Sequence, residues 1–286
     1  MVDRIDKPAS VDREAQPLTI DMPARTGTQS IERVVGMLRV VASRGRRGMR
    51  IADVASTSGL PMSTCFRMLQ RLEVEGLVTR DPLTRKYFLG PLLYELGLLA
   101  QPNYRLSGLC DPAMALIAER TQDTVYLSER RGLEAVCTNR ALGDYPIKAL
   151  TLDVGIRRPL GVGAGGLAIL SLLPQAEAES IIEANRHRYG KFATFTADVL
   201  QIEVRKARER GYSFLDSAVT PGTAAVGVAF PPDRPIGAIS VAAISSRLDG
   251  QRLCEVAQVI GQQVQQICTA LDTQTGAAGT SAKPAR

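Results

Sequence analysis

Tryptophan is absent from this 286-residue chain, and tyrosine and phenylalanine number only seven and six. Any core therefore has to be mostly aliphatic. Histidine is nearly absent as well, His187 being the one imidazole. A lone histidine inside the charged stretch NRHRYG makes a Ser-His-Asp or Cys-His site hard to build and excludes a histidine-rich metal cluster; it reads as a surface residue. The five cysteines, Cys65, Cys110, Cys137, Cys254 and Cys268, are scattered, odd in number and without a C-x-x-C pair. That spacing suits neither a disulfide framework nor structural zinc, and buried reduced thiols fit it better. No apolar run approaches the roughly 18–20 residues that span a bilayer. The N-terminus, MVDRIDKPASVDREAQPLTIDMPARTGTQ, has no apolar signal core. These absences read as a cytoplasmic protein with no membrane partner and a flexible tail over 1–25. No G-x-x-x-x-G-K-[ST] loop is present, and nothing calls for a cofactor.

Hydrophobic residues make up 45% of the chain, enough for packed cores, and its length holds two ordinary domains. The net charge of +6 is unevenly placed. Residues 26–92 carry eleven basic and five acidic side chains, whereas 93–286 carry twenty and nineteen. A localised basic surface is the footprint of a polyanionic partner; an idle solvated face is the plainer alternative.

Within the basic segment, SIERVVGMLRVVAS reads as a helix capped by Ser30, with Ile31, Val34, Val35, Leu38 and Val41 on one apolar face. SRGRRGMR (43–50) is a basic loop, and IADVASTSGL a short helix ended by Gly59. Pro61 suits the first turn of the next helix, which buries Cys65, Met68, Leu69 and Leu72. Leu77–Thr79 and Lys86–Leu89 read as short strands around the turn at Asp81-Pro82. Helix, helix, turn, helix and a two-stranded wing make a winged helix-turn-helix over 26–90. Its third helix would enter the major groove by its N-terminal turn. Ser63, Thr64, Arg67 and Arg71 lie on the unburied sides of that helix. Short hydroxyls permit close approach, and Arg67 is long enough to reach a guanine edge or a phosphate. Arg50 in the loop and Arg80, Arg85 and Lys86 on the wing would mostly neutralise phosphates. Helix capping by Ser63 and Thr64, and a salt bridge from Arg67 to Glu73 or Asp53, are the competing roles.

GPLLYELGLLAQ reads as an apolar linker helix (91–104) able to contribute to a dimer seam. Helices and strands then alternate from 105 to 272 in a mixed α/β domain. A helix spans 111–122, and two strands flank Arg131-Gly132. Two helices follow in GLAILSLLP and QAEAESIIEANRHRYG, and a third is closed by Gly211. Three strands come next, then a terminal helix striped by Leu253, Val256, Ile260, Val264 and Cys268. Residues 273–286 read as a flexible small-residue tail. GVGAGG (161–166) formally matches G-x-G-x-x-G but follows no convincing βαβ strand and has no acidic residue at the right distance. It reads either as a close approach to a ligand, with helix N-terminal amides for an anion, or as a tight packing turn.

With these stretches in hand, the chain resembles the IclR family of transcriptional regulators over residues 26–272. SIERVVGMLRVV, IADVASTSGLPMSTCFRMLQRLEVEGLV and TRKYFLGPLLYELG carry the likeness in the first half. VGIRRPLGVGAGGLAIL, GYSFLDSAVTPGTAAVGVAF and AISVAAI carry it in the second. The resemblance implies an α+β chain in which a linker helix joins the winged helix-turn-helix to a GAF-like α/β effector-binding domain. It implies homodimers or homotetramers on double-stranded DNA and control of a catabolic operon by a small-molecule effector, frequently a carboxylate. It places pocket amides at Ala164 and Gly165, beside Gly166, and a pocket serine at Ser240. Leu215 stands where small-acid binders have Asp, Ala225 where they have Cys, and Ala242 where they have a second Ser; Ser217 and Ala218 replace an acidic pair. These exchanges imply a more apolar cavity, walled by Tyr126, Leu215 and Ala225, for a larger or aromatic acid. Two rivals remain from other classes. One is a constitutive DNA binder with a non-sensing second domain. The other is a DNA-tethered enzyme, disfavoured by the isolated histidine and the lack of paired carboxylates.

Overall fold

The computed structural model of the chain describes residues 28–100, 106–192 and 194–279. The expected tail over 1–25, linker residues 101–104 and the end from 280 lie outside them. The chain divides into two compact units, Met1–Gln101 and Pro102–Arg286.

The first unit comprises α1 (Gln29–Ala42), a 3-10 turn (Gly45–Arg47), α2 (Ile51–Ser58), α3 (Met62–Val74), β1 (Val78–Arg80), β2 (Tyr87–Leu89) and α4 (Pro91–Ala100). The helix-helix-turn-helix-wing order is as the sequence implies, with two corrections in α1. The amides of Ile31 and Glu32 both donate to the Thr28 carbonyl, so the helix opens before Ser30, which lies in its first turn rather than at its cap. The buried stripe also sits further along, at Met37, Val40 and Val41, and leaves Ile31 and Val35 exposed. Gly59 closes α2 in the left-handed region at φ +68°, where a side chain would be strained. Cys65, Leu69 and Leu72 of α3 close the core against Met37, Val40 and Val54. The basic loop is more ordered than it reads. Met49 exchanges both backbone hydrogen bonds with Tyr87, at 3.0 and 2.7 Å, adding an isolated bridge to the wing.

The second unit comprises α5 (Leu106–Thr121), β3 (Thr124–Arg131), β4 (Glu134–Leu142), β5 (Arg157–Pro159), α6 (Ala164–Leu172), α7 (Gln175–Tyr189), α8 (Ala197–Arg210), β6 (Ser213–Asp216), β7 (Thr223–Phe230), β8 (Gly237–Ile244) and α9 (Gly250–Gly279). Three bounds differ from expectation. The described part of α5 starts at Leu106 and runs through Pro112, because Leu106, Leu109 and Cys110 pack into the core and outweigh one lost backbone bond. α9 continues to Gly279, past residue 272. The three-residue β5 had no alternation to announce it. Of the thiols, Cys65, Cys110 and Cys137 are buried, but Cys254 is exposed.

The six strands order as β5-β4-β3-β8-β7-β6, every neighbouring pair antiparallel. With no parallel βαβ unit among the described residues, GVGAGG does not sit in a dinucleotide-binding fold. Side chains alternate across the sheet. Val125, Leu127, Val226, Ile239 and Val241 face α5 and α9, while the opposite face carries α6 and the cluster it shares with α7 and α8. One polar cluster ties the sheet to α9. The carboxylate of Asp123, its side chain 1% exposed, accepts from Arg247 Nε at 3.0 Å and Arg252 Nη2 at 2.9 Å. The Tyr145 ring lies 3.6 Å from the Arg247 guanidinium carbon.

Candidate nucleic-acid interface and candidate effector cavity

In the first unit, Ser63 and Arg67 are exposed and Thr64 is half-exposed at the start of α3. Among the described residues, neither hydroxyl caps the helix and Arg67 meets no carboxylate, so the competing structural roles are not taken up. Arg71 differs, since it pairs with Glu75 one turn on. Met62 and Phe66 are 49% and 42% exposed on the same helix; the sequence reading passed over both. Apolar groups beside an arginine suit thymine methyls in a major groove.

The wing is braced. The Asp81 carboxylate accepts from Thr84 N (2.6 Å), Thr84 Oγ1 (2.9 Å) and Leu83 N (3.0 Å), bonds that hold its pKa below the usual carboxylate value. This turn sets Arg85, in the left-handed region at φ +56°, at the wing tip. Lys86 donates from Nζ to the Arg47 carbonyl at 3.1 Å, which ties the wing to the basic loop. Arg80 sits 5.6 Å from the Tyr87 ring centroid, and Arg50 is exposed at the start of α2.

In the second unit, all eight residues proposed for a pocket, Tyr126, Ala164, Gly165, Gly166, Leu215, Ala225, Ser240 and Ala242, line one cavity. The space inside it that a water-sized sphere can occupy is about 50 Å³. The register explains the gathering. Ala225 pairs with both Leu215 and Ala242, and the next row on the same face holds Gly227, Ser240 and Tyr126. The N-terminus of α6 descends onto these rows because glycines leave room. A Cβ on Gly165 would fall 2.6 Å from Ser128 Oγ, and one on Gly227 would fall 2.9 Å from the Ala164 carbonyl oxygen. GVGAGG is thus a packing turn and a cavity wall at once. Among the described residues, the hydroxyls of Ser128 and Ser240 have no hydrogen-bond partner. The Tyr126 hydroxyl is occupied, donating to the Ala149 carbonyl at 2.7 Å and accepting from Thr151 N at 3.2 Å. It pins the 149–151 segment over the cavity and serves as wall rather than ligand. Burial raises its pKa and pushes the Cys137 thiol up to about 11, so both are neutral near pH 7.

Sequence reasoning missed Ser128, Cys137, Thr151 and Arg158 in this lining. Arg158 is the consequential omission, because among the described residues it is the one charged side chain lining the cavity, and no Asp or Glu joins it there. Its Nη2 donates to the Thr151 carbonyl at 2.6 Å. Burial lowers the guanidinium's pKa, opposed by Tyr126 and Cys137. The signal was present in IRRP, where one of two adjacent arginines on a strand must point inward. Its neighbour Arg157 points out and joins Glu134, at 2.9 Å, to which Arg188 also donates.

Burial by itself raises the Glu134 pKa, but hydrogen bonds from Arg188 and Arg157 outweigh it and hold the carboxyl below 4.5. The stabilisation is therefore complete above pH 4.5 and is lost as pH falls through the lower native value. Glu134→Gln is expected to cost about 1 kcal/mol at pH 7, allowing for solvent at this half-buried site. In urea titrations the gap between the two proteins should narrow as pH falls below 4.5; a gap independent of pH would show that the charge is not what stabilises.

An IclR helix-turn-helix domain model matches residues 30–82, and the model described as the bacterial transcriptional regulator IclR C-terminal domain matches residues 103–269. The chain belongs to the IclR family of DNA-binding transcriptional regulators, which are not enzymes. It is similar to the transcriptional repressor AllR of Klebsiella pneumoniae, 26% identical over 91% of this chain and 96% of that protein. It is also similar to the regulator KipR of Bacillus subtilis, 29% identical over 72% and 82% respectively. Two solved structures share the fold, each 20% identical and covering 84% of this chain and 98% of theirs. One is an IclR regulator from Alicyclobacillus acidocaldarius (TM-score 0.69). The other is an IclR homolog from Microbacterium hydrocarbonoxydans, complexed with 4-hydroxybenzoate (TM-score 0.67). Among the described residues no helix is long and apolar enough to cross a membrane.

Proposed function

We propose that this regulator binds a specific operator of a catabolic operon and that a partly apolar or aromatic carboxylic acid sets its affinity for that DNA. The cavity carries the reading. Leu215, Ala225 and Ala242 give it apolar walls, and the first turn of α6 and the hydroxyls of Ser128 and Ser240 give it polar groups without partners. Buried polar groups are normally satisfied, and an acid with an apolar body would satisfy these. The solved homolog with 4-hydroxybenzoate is consistent with such a ligand. Ser63, Thr64 and Arg67 are the base-reading group. Arg50, Arg80, Arg85 and Lys86 are the phosphate clamps, and Arg71 shares its charge with Glu75. The working form is a homodimer or homotetramer, supported by α4, which buries none of its residues and leaves Tyr94, Leu96, Leu98 and Leu99 exposed. The acid acts through unequal affinity for DNA-competent and incompetent arrangements of that assembly.

The test is fluorescence anisotropy of the protein on DNA from upstream of its own gene, with scrambled DNA as control, at about 0.15 M salt. Binding is expected to be at least about tenfold tighter to the upstream DNA and to shift with an aromatic acid. Equal binding to both DNAs, unmoved by any acid, contradicts the reading. Tighter calorimetric binding of glyoxylate or pyruvate than of benzoate-like acids contradicts the proposed ligand size.

A further inference from the structure

Resting on that reading, we infer that Arg158 is the counter-ion for the effector's carboxylate and selects acids over their neutral isosteres. Four observations converge. Among the described residues, the side chain lines the cavity as its sole charge, with no acidic residue to balance it. Among the described residues it makes no ion pair, and one carbonyl accepts from one of its nitrogens. A guanidinium has five N–H donors in a planar fork that matches a carboxylate's two oxygens, so most of this fork is left for a ligand. The position is also apt, because a Cβ built on Gly163, the residue that opens α6, would lie 3.4 Å from Arg158 Nη1. The fork and the free amides of the α6 first turn therefore address the same anion, from the side and along the helix axis.

The opposite wall agrees. Leu215, on β6, puts a hydrocarbon rather than a carboxylate into the cavity. Ser128 and Ser240 flank Gly165 at the helix start, where they can donate to a carboxylate oxygen or accept from a ring hydroxyl. An uncompensated cation enclosed by protein is unfavourable unless something occupies it. Arginine in place of an apolar residue here therefore marks a ligand site rather than a packing choice.

The test compares wild type with Arg158→Met, which keeps the length of the stem and removes the charge. Binding of 4-hydroxybenzoate and of its neutral amide, 4-hydroxybenzamide, is measured by calorimetry, and the unliganded melting temperature of each protein is recorded. The acid is expected to bind wild type and to weaken about 30- to 100-fold in Arg158→Met, as for loss of a charged hydrogen-bonded pair. The amide is expected to bind wild type less tightly than the acid and to change little in the variant. The unliganded variant is expected to melt no lower than wild type, because it sheds an unpaired charge. Undiminished acid binding in Arg158→Met overturns the counter-ion role and leaves the proposed function standing. A melting temperature several degrees lower assigns Arg158 to holding Thr151 and overturns the role as well. Failure of wild type to bind either compound, or any acid in the anisotropy panel, counts against the proposed function itself, and the counter-ion falls with it.

Discussion

Asp123→Ala is expected to lower the melting temperature of the second unit by about 6–12 °C, corresponding to about 3 kcal/mol in a unit of this size. The carboxylate is sealed, its side chain 1% exposed, while its partners Arg247 and Arg252 are 20% and 37% exposed. Removing the acid leaves two cations facing each other across the gap. Water reaches both, which places the loss at the lower end of the range for broken buried pairs. The backbone suffers too, since both arginines also donate to the Thr121 carbonyl at 3.4 and 2.8 Å, and α5, β3 and α9 meet there. Asp123→Asn keeps the shape and one acceptor, so it should fall between wild type and the alanine variant. Scanning calorimetry of the full chain reads the effect. A drop of under 1 °C would place the cluster with ordinary surface pairs, whose worth is about 0–1 kcal/mol.

Arg67→Ala is expected to relax base preference, with about 1–3 kcal/mol lost on the operator and little on scrambled DNA. Arg85→Ala is expected to weaken both DNAs alike and to flatten the salt dependence by about one unit of slope. The structure gives the two residues different settings. Arg67 stands exposed on α3, next in the chain to the exposed Phe66. Arg85 stands at the end of a turn held by Asp81, on the wing rather than on α3. Anisotropy titrations at three salt concentrations separate the outcomes. Identical behaviour of the two variants would dissolve the division into reader and clamp. Glu75→Gln should act in the opposite direction and strengthen binding to any DNA, because it frees Arg71.

The DNA-binding unit was legible because each helix stop has a local cause. Gly59 and Pro61 punctuate the turn, and Cys65, Leu69 and Leu72 mark the buried side of α3 at helical spacing. α1 misled because its apolar residues exceed what its neighbours cover, and periodicity cannot say which end of a stripe meets α2 and β2. In the second unit, β3 and β4 were readable as two strands around the turn Arg131-Gly132, whereas β5 was not, three residues being too few for a period. The cavity divided the same way. Leu215, Ala225, Ser240 and Ala242 were reachable by likeness to a family. Arg158 escaped that route, as a family pattern directs attention to positions where polar groups are expected. It would have been found by asking which arginine in IRRP must face inward.

The sheet register described above also separates two kinds of change. Along β3 and β8, odd-numbered residues hold the α5–α9 core, and even-numbered ones such as Tyr126, Ser128, Ser240 and Ala242 border the cavity. Substitutions at the even positions change the cavity lining while the hydrophobic layer that keeps the unit folded stays intact. A variant library confined to 126, 128, 240 and 242 should therefore yield mostly folded proteins and, on the proposed function, new ligand preferences. On the proposed function, descendants of this chain can drift from one ligand to another along the same rows without passing through unfolded intermediates.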